Sequence, residues 1–179
     1  MSSKDWQDDN KDVISEITSN LNQRTEELFR IPDAELDEKN CFVAPAIVLR
    51  ESVIFPKMIS PVFIGQKGNL NSIQYALNNN QTVVTLIPKD VDQDNPVRMR
   101  DFNKVGLEIA VGRLVTLPED NFSTLIQGRR RVVLKRIIKV SPILLVEVCV
   151  PEETIESDKK TDATVRTVRN LFERCVALD

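Results

Sequence analysis

The 179 residues carry 24 Lys+Arg against 27 Asp+Glu, a formal net charge of −3, with 41% hydrophobic and 28% charged residues. That is globular composition, with room for one core plus an extension, and it excludes a disordered or fibrous chain. Histidine is absent, which removes Ser–His and Cys–His nucleophile pairs, imidazole proton shuttles and His-ligated metal sites.

The N-terminus, Met1 to Asp9, is polar and acidic, with no apolar stretch of signal-peptide type. No run approaches the ~18 apolar residues of a membrane span. The expectation is a soluble, cytoplasmic protein. Residues 1–40 hold eleven acids and five bases, a balance of −6, and the remainder balances at +3, so an acidic arm precedes a mildly basic body. Within the arm, Val13, Ile14, Ile17, Leu21, Leu28 and Phe29 recur at helical spacing. The spacing predicts one amphipathic helix near 11–30. Ile31-Pro32-Asp33 ends it, because the residue before proline is pushed away from helical dihedrals, and a linker runs to residue 42. The apolar stripe suits docking either on the body or on another chain. The three cysteines, Cys41, Cys149 and Cys175, form no Cys-x-x-Cys pair, so they read as reduced, mostly buried thiols.

From residue 43 the period changes. Val43–Leu49, Val53–Phe55, Val62–Ile64, Thr82–Ile87, Gly106–Leu117, Phe122–Gln127, Arg131–Val140 and Ile143–Val150 are short β-branched runs divided by turn formers. They predict an antiparallel sheet or barrel. Leu117 to Phe122 reads as a hairpin turn and Val140-Ser141-Pro142 as another, with both prolines at strand ends. One helix interrupts the pattern: Leu70, Ile73, Ala76 and Leu77 share a face, with Asn69 as N-cap and Asn78-Asn79-Asn80 as the stop. A second helix follows Asp162, with Val165, Val168, Leu171, Phe172, Cys175 and Val176 on one face and no Gly or Pro after it. Such an ending reads as a helix that continues in a longer protein.

Candidate chemistry is sparse. The five glycines form neither a Gly-x-x-x-x-Gly-Lys-Ser/Thr loop nor a Gly-x-Gly-x-x-Gly turn, so ATP and dinucleotides have no evident cradle. Asp90, Asp92, Asp94 and Asp101 have the spacing of a calcium loop, but Asn95 stands where the loop requires glycine and Pro96 follows. The default there is a solvated acidic loop. No serine is placed beside a desolvated lysine. Arg129, Arg130, Arg131, Lys135, Arg136 and Lys139 put six positive charges in eleven residues. They form either a basic strand for nucleic-acid phosphates or a strand with one solvated face, and aromatic stacking residues are missing from the run.

The segment Leu49-Arg50-Glu51-Ser52-Val53-Ile54-Phe55-Pro56-Lys57-Met58-Ile59-Ser60-Pro61-Val62-Phe63-Ile64-Gly65 resembles the opening motif of the Lon protease N-terminal domain. That family places an apolar strand, a Phe-Pro turn, a second proline and an apolar strand ending in Gly in this order. The resemblance continues through the helix at Leu70–Leu77, Lys89-Asp90, Asp101-Phe102, Val105-Gly106, Leu117-Pro118, Gly128-x-x-Arg131, Pro142-Ile143-Leu144 and Phe172-Glu173-Arg174, covering residues 43 to 179. Val48 departs from the family's usual proline, Gly106-Leu107-Glu108 from its commoner Gly-Thr pair, and the acidic arm has no recognised counterpart.

The resemblance implies an α+β chain with a compact β-rich, PUA-like pseudo-barrel and one inserted helix. In these terms residues 1–42 are the acidic arm, 43–155 the β-rich domain and 156–179 the start of a helical segment. It implies a non-catalytic domain that captures unfolded or tagged protein segments and helps a homohexamer assemble, with the ATPase and Ser–Lys protease parts outside this sequence. No catalytic residue, cofactor or metal is expected, and this chain alone is expected to be monomeric or weakly dimeric. A stand-alone adaptor of the same fold is one alternative, and a PUA-like RNA binder using Arg129–Lys139 is another. For recognition, Pro56, Met58 and Pro61 form a small apolar surface on a proline-stiffened connection, with Lys57 adding attraction for acidic segments. In the competing reading Phe55 and Met58 plug one end of the barrel. Phe55 is expected to be such a plug, and Met58 fits either role.

Overall fold

The computed structural model describes residues 23–50, 52–90, 98–117, 121–152 and 159–176. Helix α1 runs over 23–30. It is followed by β1 (Cys41–Val48), β2 (Ile59–Ile64), α2 (Lys67–Asn78), β3 (Val83–Leu86), a 3₁₀ turn at Met99–Asp101, β4 (Val105–Thr116), β5 (Phe122–Lys139), β6 (Leu144–Cys149) and α3 (Lys159–Val176). Residues 11–22 of the expected first helix, 91–97 of the acidic loop and 118–120 of the first hairpin lie outside the described residues. That hairpin is closed by the Leu117 N–H donating to the Asn121 carbonyl at 2.8 Å.

The strands form one sheet in the order β2-β5-β4-β3-β1-β6, and β5 also pairs with β6. That last pairing closes β1, β3, β4, β5 and β6 into the expected β-rich pseudo-barrel. Three details differ from the sequence reading. Val53–Phe55 is not a strand. Phe122–Gln127 and Arg131–Val140 belong to a single strand of 18 residues, whose first half pairs with β2 and whose second half pairs with β6. The sheet is mixed, because β1 and β3 run parallel. Parallel neighbours need a crossover of a dozen or more residues, and β2 with α2 supplies it.

Period-2 alternation sends side chains of the central strands into two apolar clusters on opposite faces. Ile47, Ile64, Ile73, Val83, Ile109 and Ile126 fill one beneath α2. Phe42, Leu86, Phe102, Val132, Val146 and Val148 fill the other. All four residues of β3 are therefore buried, as expected of a strand covered on both faces. Helix α2 begins one turn earlier than its apolar stripe suggests, with Gln66 at the N-cap. Asn69 is not the cap: its buried side-chain amide donates to the Val48 carbonyl and accepts from the Val48 N–H, both at 2.9 Å.

The cysteines also depart from expectation. Cys41 and Cys149 face each other across β1 and β6 and are joined as a disulfide, while Cys175 is a free and exposed thiol. Residues far apart in sequence reveal nothing about strand register until the sheet is formed, so this pairing had no local signature.

Helix α1 packs on the barrel. Leu28 is fully buried against Ala110 and Leu125, and the Arg129 guanidinium donates to the Leu28 and Ile31 carbonyls at 2.7 and 3.0 Å. A cation there satisfies carbonyls left open at a helix C-terminus. Glu27 pairs with the exposed Arg113, and the hydrogen bond and charge of that carboxylate raise the arginine above its ordinary value. The fully buried Glu108 carboxylate accepts from the Ala34 N–H and the Thr82 hydroxyl, both at 2.7 Å, and from Arg130 Nε at 2.5 Å. Arg130 also donates to the Ala34 carbonyl at 2.7 Å and lies over the Phe42 ring. A β-bulge explains how two adjacent arginines both reach the arm. Leu107 pairs with Arg131 and Ile109 with Gly128, so Glu108 stands opposite both Arg129 and Arg130, and the bulge re-aims their side chains.

Removing one partner of a buried ion pair leaves an uncompensated charge. Arg130→Ala is expected to lower the unfolding free energy by about 3 kcal/mol in urea titrations followed by circular dichroism. Arg113→Ala, at the exposed pair, is expected to leave the midpoint unchanged. Equal, small effects of the two would contradict the anchoring role given to Arg130.

Candidate functional site

The connection from Phe55 to Met58 is a tight turn, closed by the Met58 N–H donating to the Phe55 carbonyl at 3.1 Å. Pro56 presets its backbone at the first central position, and Lys57 occupies the left-handed region at φ 66°. A lysine held there stores strain that the surroundings must offset. Two backbone bonds do this: the Lys57 N–H donates to the Gly128 carbonyl and the Gly128 N–H to the Met58 carbonyl, each at 2.8 Å. The seat requires a glycine, since a Cβ on residue 128 would lie 2.1 Å from the Phe55 carbonyl oxygen.

The four sequence-predicted contact residues are thus brought together on one turn and the strand that leaves it. Pro56 is half-buried, whereas Lys57, Met58 and Pro61 are exposed. The expectation that Phe55 plugs the barrel is overturned. Phe55 is 60% exposed, and its neighbour Ile54 enters the core instead. Apolar side chains adjoin along such a run, so which one turns inward depends on the turn and not on composition. Met58 is 40% exposed.

Sequence reasoning missed the continuation of this surface along β2. Val62 and Ile64 point into the core, and the period of two therefore turns Ile59, Pro61 and Phe63 outward. Phe63 is 75% exposed. The available signal was the alternation itself: an apolar residue at every position of Val62-Phe63-Ile64 leaves one of them facing solvent in a strand covered on one face only. A groove of about 230 Å³ opens beside β2, lined by Val62, Phe63, Leu49, Ser52 and Asn69 among others.

Three of the six basic residues of the run have structural partners. Arg129 and Arg130 hold the arm, and Arg136 pairs with Glu147. Helix α3 carries a second apolar surface, with Val165, Val168, Leu171 and Phe172 exposed. Among the described residues no cluster of three metal-ligating side chains is present, and no helix is long and apolar enough to cross a membrane.

A closed ring of strands, a helix inserted after β2 and a trailing helix define a Lon-type N-terminal domain. The N-terminal domain of a Mycobacterium avium complex Lon protease is similar with a TM-score of 0.56, over 76% of this chain and 71% of that one, at 14% identity. A Lon N-terminal domain protein from Xanthomonas campestris is similar with a TM-score of 0.55, over 77% and 75%, at 14% identity. At such identity the likeness establishes the fold alone. The family model for the ATP-dependent protease La (LON) substrate-binding domain matches residues 43–178, and the chain belongs to that family.

Among curated relatives, the Lon protease of Fusobacterium nucleatum is 29% identical over 135 residues, covering 75% of this chain and 18% of that protein. Lon protease 2 of Bdellovibrio bacteriovorus is 31% identical over 136 residues, covering 75% and 17%. The Lon protease of Aquifex aeolicus is 29% identical over 156 residues, covering 85% and 19%. The chain spans less than a fifth of these relatives, and it matches the family's substrate-binding domain, not its catalytic domain.

The seat of the turn yields a direct test. Gly128→Ala is expected to lower the unfolding free energy by about 2 kcal/mol, as backbone clashes at a special position do, in thermal or urea denaturation. An unchanged midpoint would show that the turn is not held by this close approach.

Proposed function

We propose that this chain is a non-catalytic substrate-recognition domain of an ATP-dependent Lon-type protease. It binds unfolded or tagged protein segments at the surface formed by Pro56, Lys57, Met58 and Pro61 and continued by Phe55, Ile59 and Phe63. The observation that carries this reading is the combination of a rigidly seated turn with large apolar side chains left in solvent. Exposed apolar patches on an otherwise well-packed domain mark interaction sites, and unbranched Met58 adapts to varied partners. Family membership and the likeness to Lon proteases support it.

In this reading residues 1–42 are the acidic arm, of which Leu28 to Ala34 brace the barrel, 43–155 the gripping body and 156–179 the start of a helical segment leading toward the motor and protease parts of the whole protein. That protein acts in the cytoplasm as a homohexamer, in which one weak patch per subunit, of roughly micromolar affinity or poorer, becomes useful by multivalency. The reading needs no cofactor and no metal. The RNA-binding alternative draws on six charges, of which Arg129 and Arg130 are engaged with the arm.

Fluorescence anisotropy with a labelled, permanently unfolded carboxymethylated lactalbumin tests the site. Met58→Ala is expected to weaken binding roughly threefold, in line with partial loss of buried apolar area, without changing the unfolding midpoint. Equal affinity for the two proteins would remove Met58 from the site.

A further inference from the structure

Among the described residues, strand β2 has a partner on one side only. It is terminal in the strand order, and β5 is its neighbour. In an antiparallel pair the N–H and C=O of one residue point the same way, and successive residues alternate. The Met58 carbonyl accepts from the Gly128 N–H of β5, so even-numbered residues of this segment face β5. Ile59, Pro61 and Phe63 therefore aim their backbone groups at the open edge. Pro61 fits this parity, since a proline is tolerated in a strand only where its missing donor is not needed by the ladder. The groove beside β2 is lined by both Val62 and Phe63. Consecutive strand residues point to opposite faces, so this groove runs along the edge itself, with Val48, Leu49, Arg50 and Ser52 on its other wall.

We propose that the open edge of β2 takes up an extended polypeptide segment as an additional strand, rich in apolar side chains at alternate positions. The proposal deepens the substrate-recognition reading above and rests on it. The edge offers two donors, from Ile59 and Phe63, and three acceptors, from Ile59, Pro61 and Phe63, the Pro61 carbonyl also accepting from the Ser60 hydroxyl at 3.3 Å. Main-chain pairing of this kind supplies sequence-tolerant affinity, and the side chains on the exposed face supply preference. On that face the incoming strand sets its alternate side chains beside Ile59 and Phe63, at the spacing where apolar cross-strand pairs stabilise each other. An unfolded chain provides such a segment; a folded one keeps its strands paired.

Pro61 also argues for a foreign strand over a second copy of this chain. Two β2 edges pairing antiparallel about their centres would set Pro61 against Pro61, and both central donors would be missing. A foreign strand loses only one of them. Proline on an edge is a known guard against self-pairing.

The test uses this chain with two peptides of one sequence, alternating isoleucine or phenylalanine with threonine, one of them N-methylated at two consecutive central residues. Methylation keeps the side chains but blocks pairing on either face of the peptide. The unmethylated peptide is expected to bind and to compete with unfolded carboxymethylated lactalbumin, and the methylated one to bind about tenfold more weakly or less, from the loss of its main-chain bonds. Equal binding of both overturns strand addition while leaving substrate recognition intact. Binding of the lactalbumin but of neither peptide also overturns it. No binding of any probe removes the recognition reading, and the proposal with it. A dimer seen by light scattering and abolished by Phe63→Pro would assign the edge to a second copy and overturn the proposal.

Discussion

A carboxylate in the middle of a buried strand is costly to desolvate, and it persists only where every oxygen is satisfied. Glu108 meets that condition by drawing on three separated parts of the chain: the Thr82 hydroxyl, the Ala34 N–H and the Arg130 guanidinium. Withdrawing Arg130 leaves a charge unpaired in the interior, and withdrawing either neutral donor leaves a carboxylate oxygen short of a hydrogen bond there. The arm is thereby part of the fold and not an appendage, because its backbone completes the solvation of a core residue. The bulge that brings Arg129 and Arg130 opposite Glu108 ties this network to the geometry of β5. Immediately before it lies Gly128, which seats the turn at Phe55–Met58. Three successive residues of one long strand, Gly128 to Arg130, therefore hold both the arm and the Phe55–Met58 turn.

The two surfaces of β2 show how apolar side chains are held in solvent on a packed frame. Its inner face packs into the core, its even-numbered backbone groups pair with β5, and among the described residues the outer face and the far edge carry no strand partner. Apolar side chains held on such a frame lose little freedom on contact, which favours association with partners that must themselves be ordered. The left-handed Lys57 belongs to the same arrangement. Its strain is offset by two backbone bonds to Gly128, and the result is a lysine and a methionine presented at fixed positions beside a phenylalanine.

Much of this was legible in the residues. Strand runs rich in Val and Ile, the inserted helix and the order of the motifs around Phe55-Pro56 and Gly128-x-x-Arg131 point to the pseudo-barrel. What stayed hidden depends on contacts between distant residues. The parallel pairing of β1 with β3, the Cys41–Cys149 bond and the meeting of Ala34, Glu108 and Arg130 have no local signature. Asn69 has the look of a helix cap because the same amide that caps a helix also binds an edge of backbone, here that of Val48. The basic run likewise looks like a phosphate-binding strand until the bulge shows where two of its arginines point. Phe63 reads as core because it is an apolar residue inside an apolar run, and it is exposed because β2 is covered on one face only.

The central claim is that this chain grips unfolded protein along the Phe55–Phe63 surface and does no chemistry. Hydrogen exchange of this chain, with and without an excess of unfolded lactalbumin, addresses it most directly. Slowed exchange at the Ile59 and Phe63 amides, with the amides of β3 and β4 unchanged and the lactalbumin uncleaved, is the predicted result. Slowing confined to α3 or to the basic half of β5, or the appearance of cleaved lactalbumin with contaminants excluded, would contradict it.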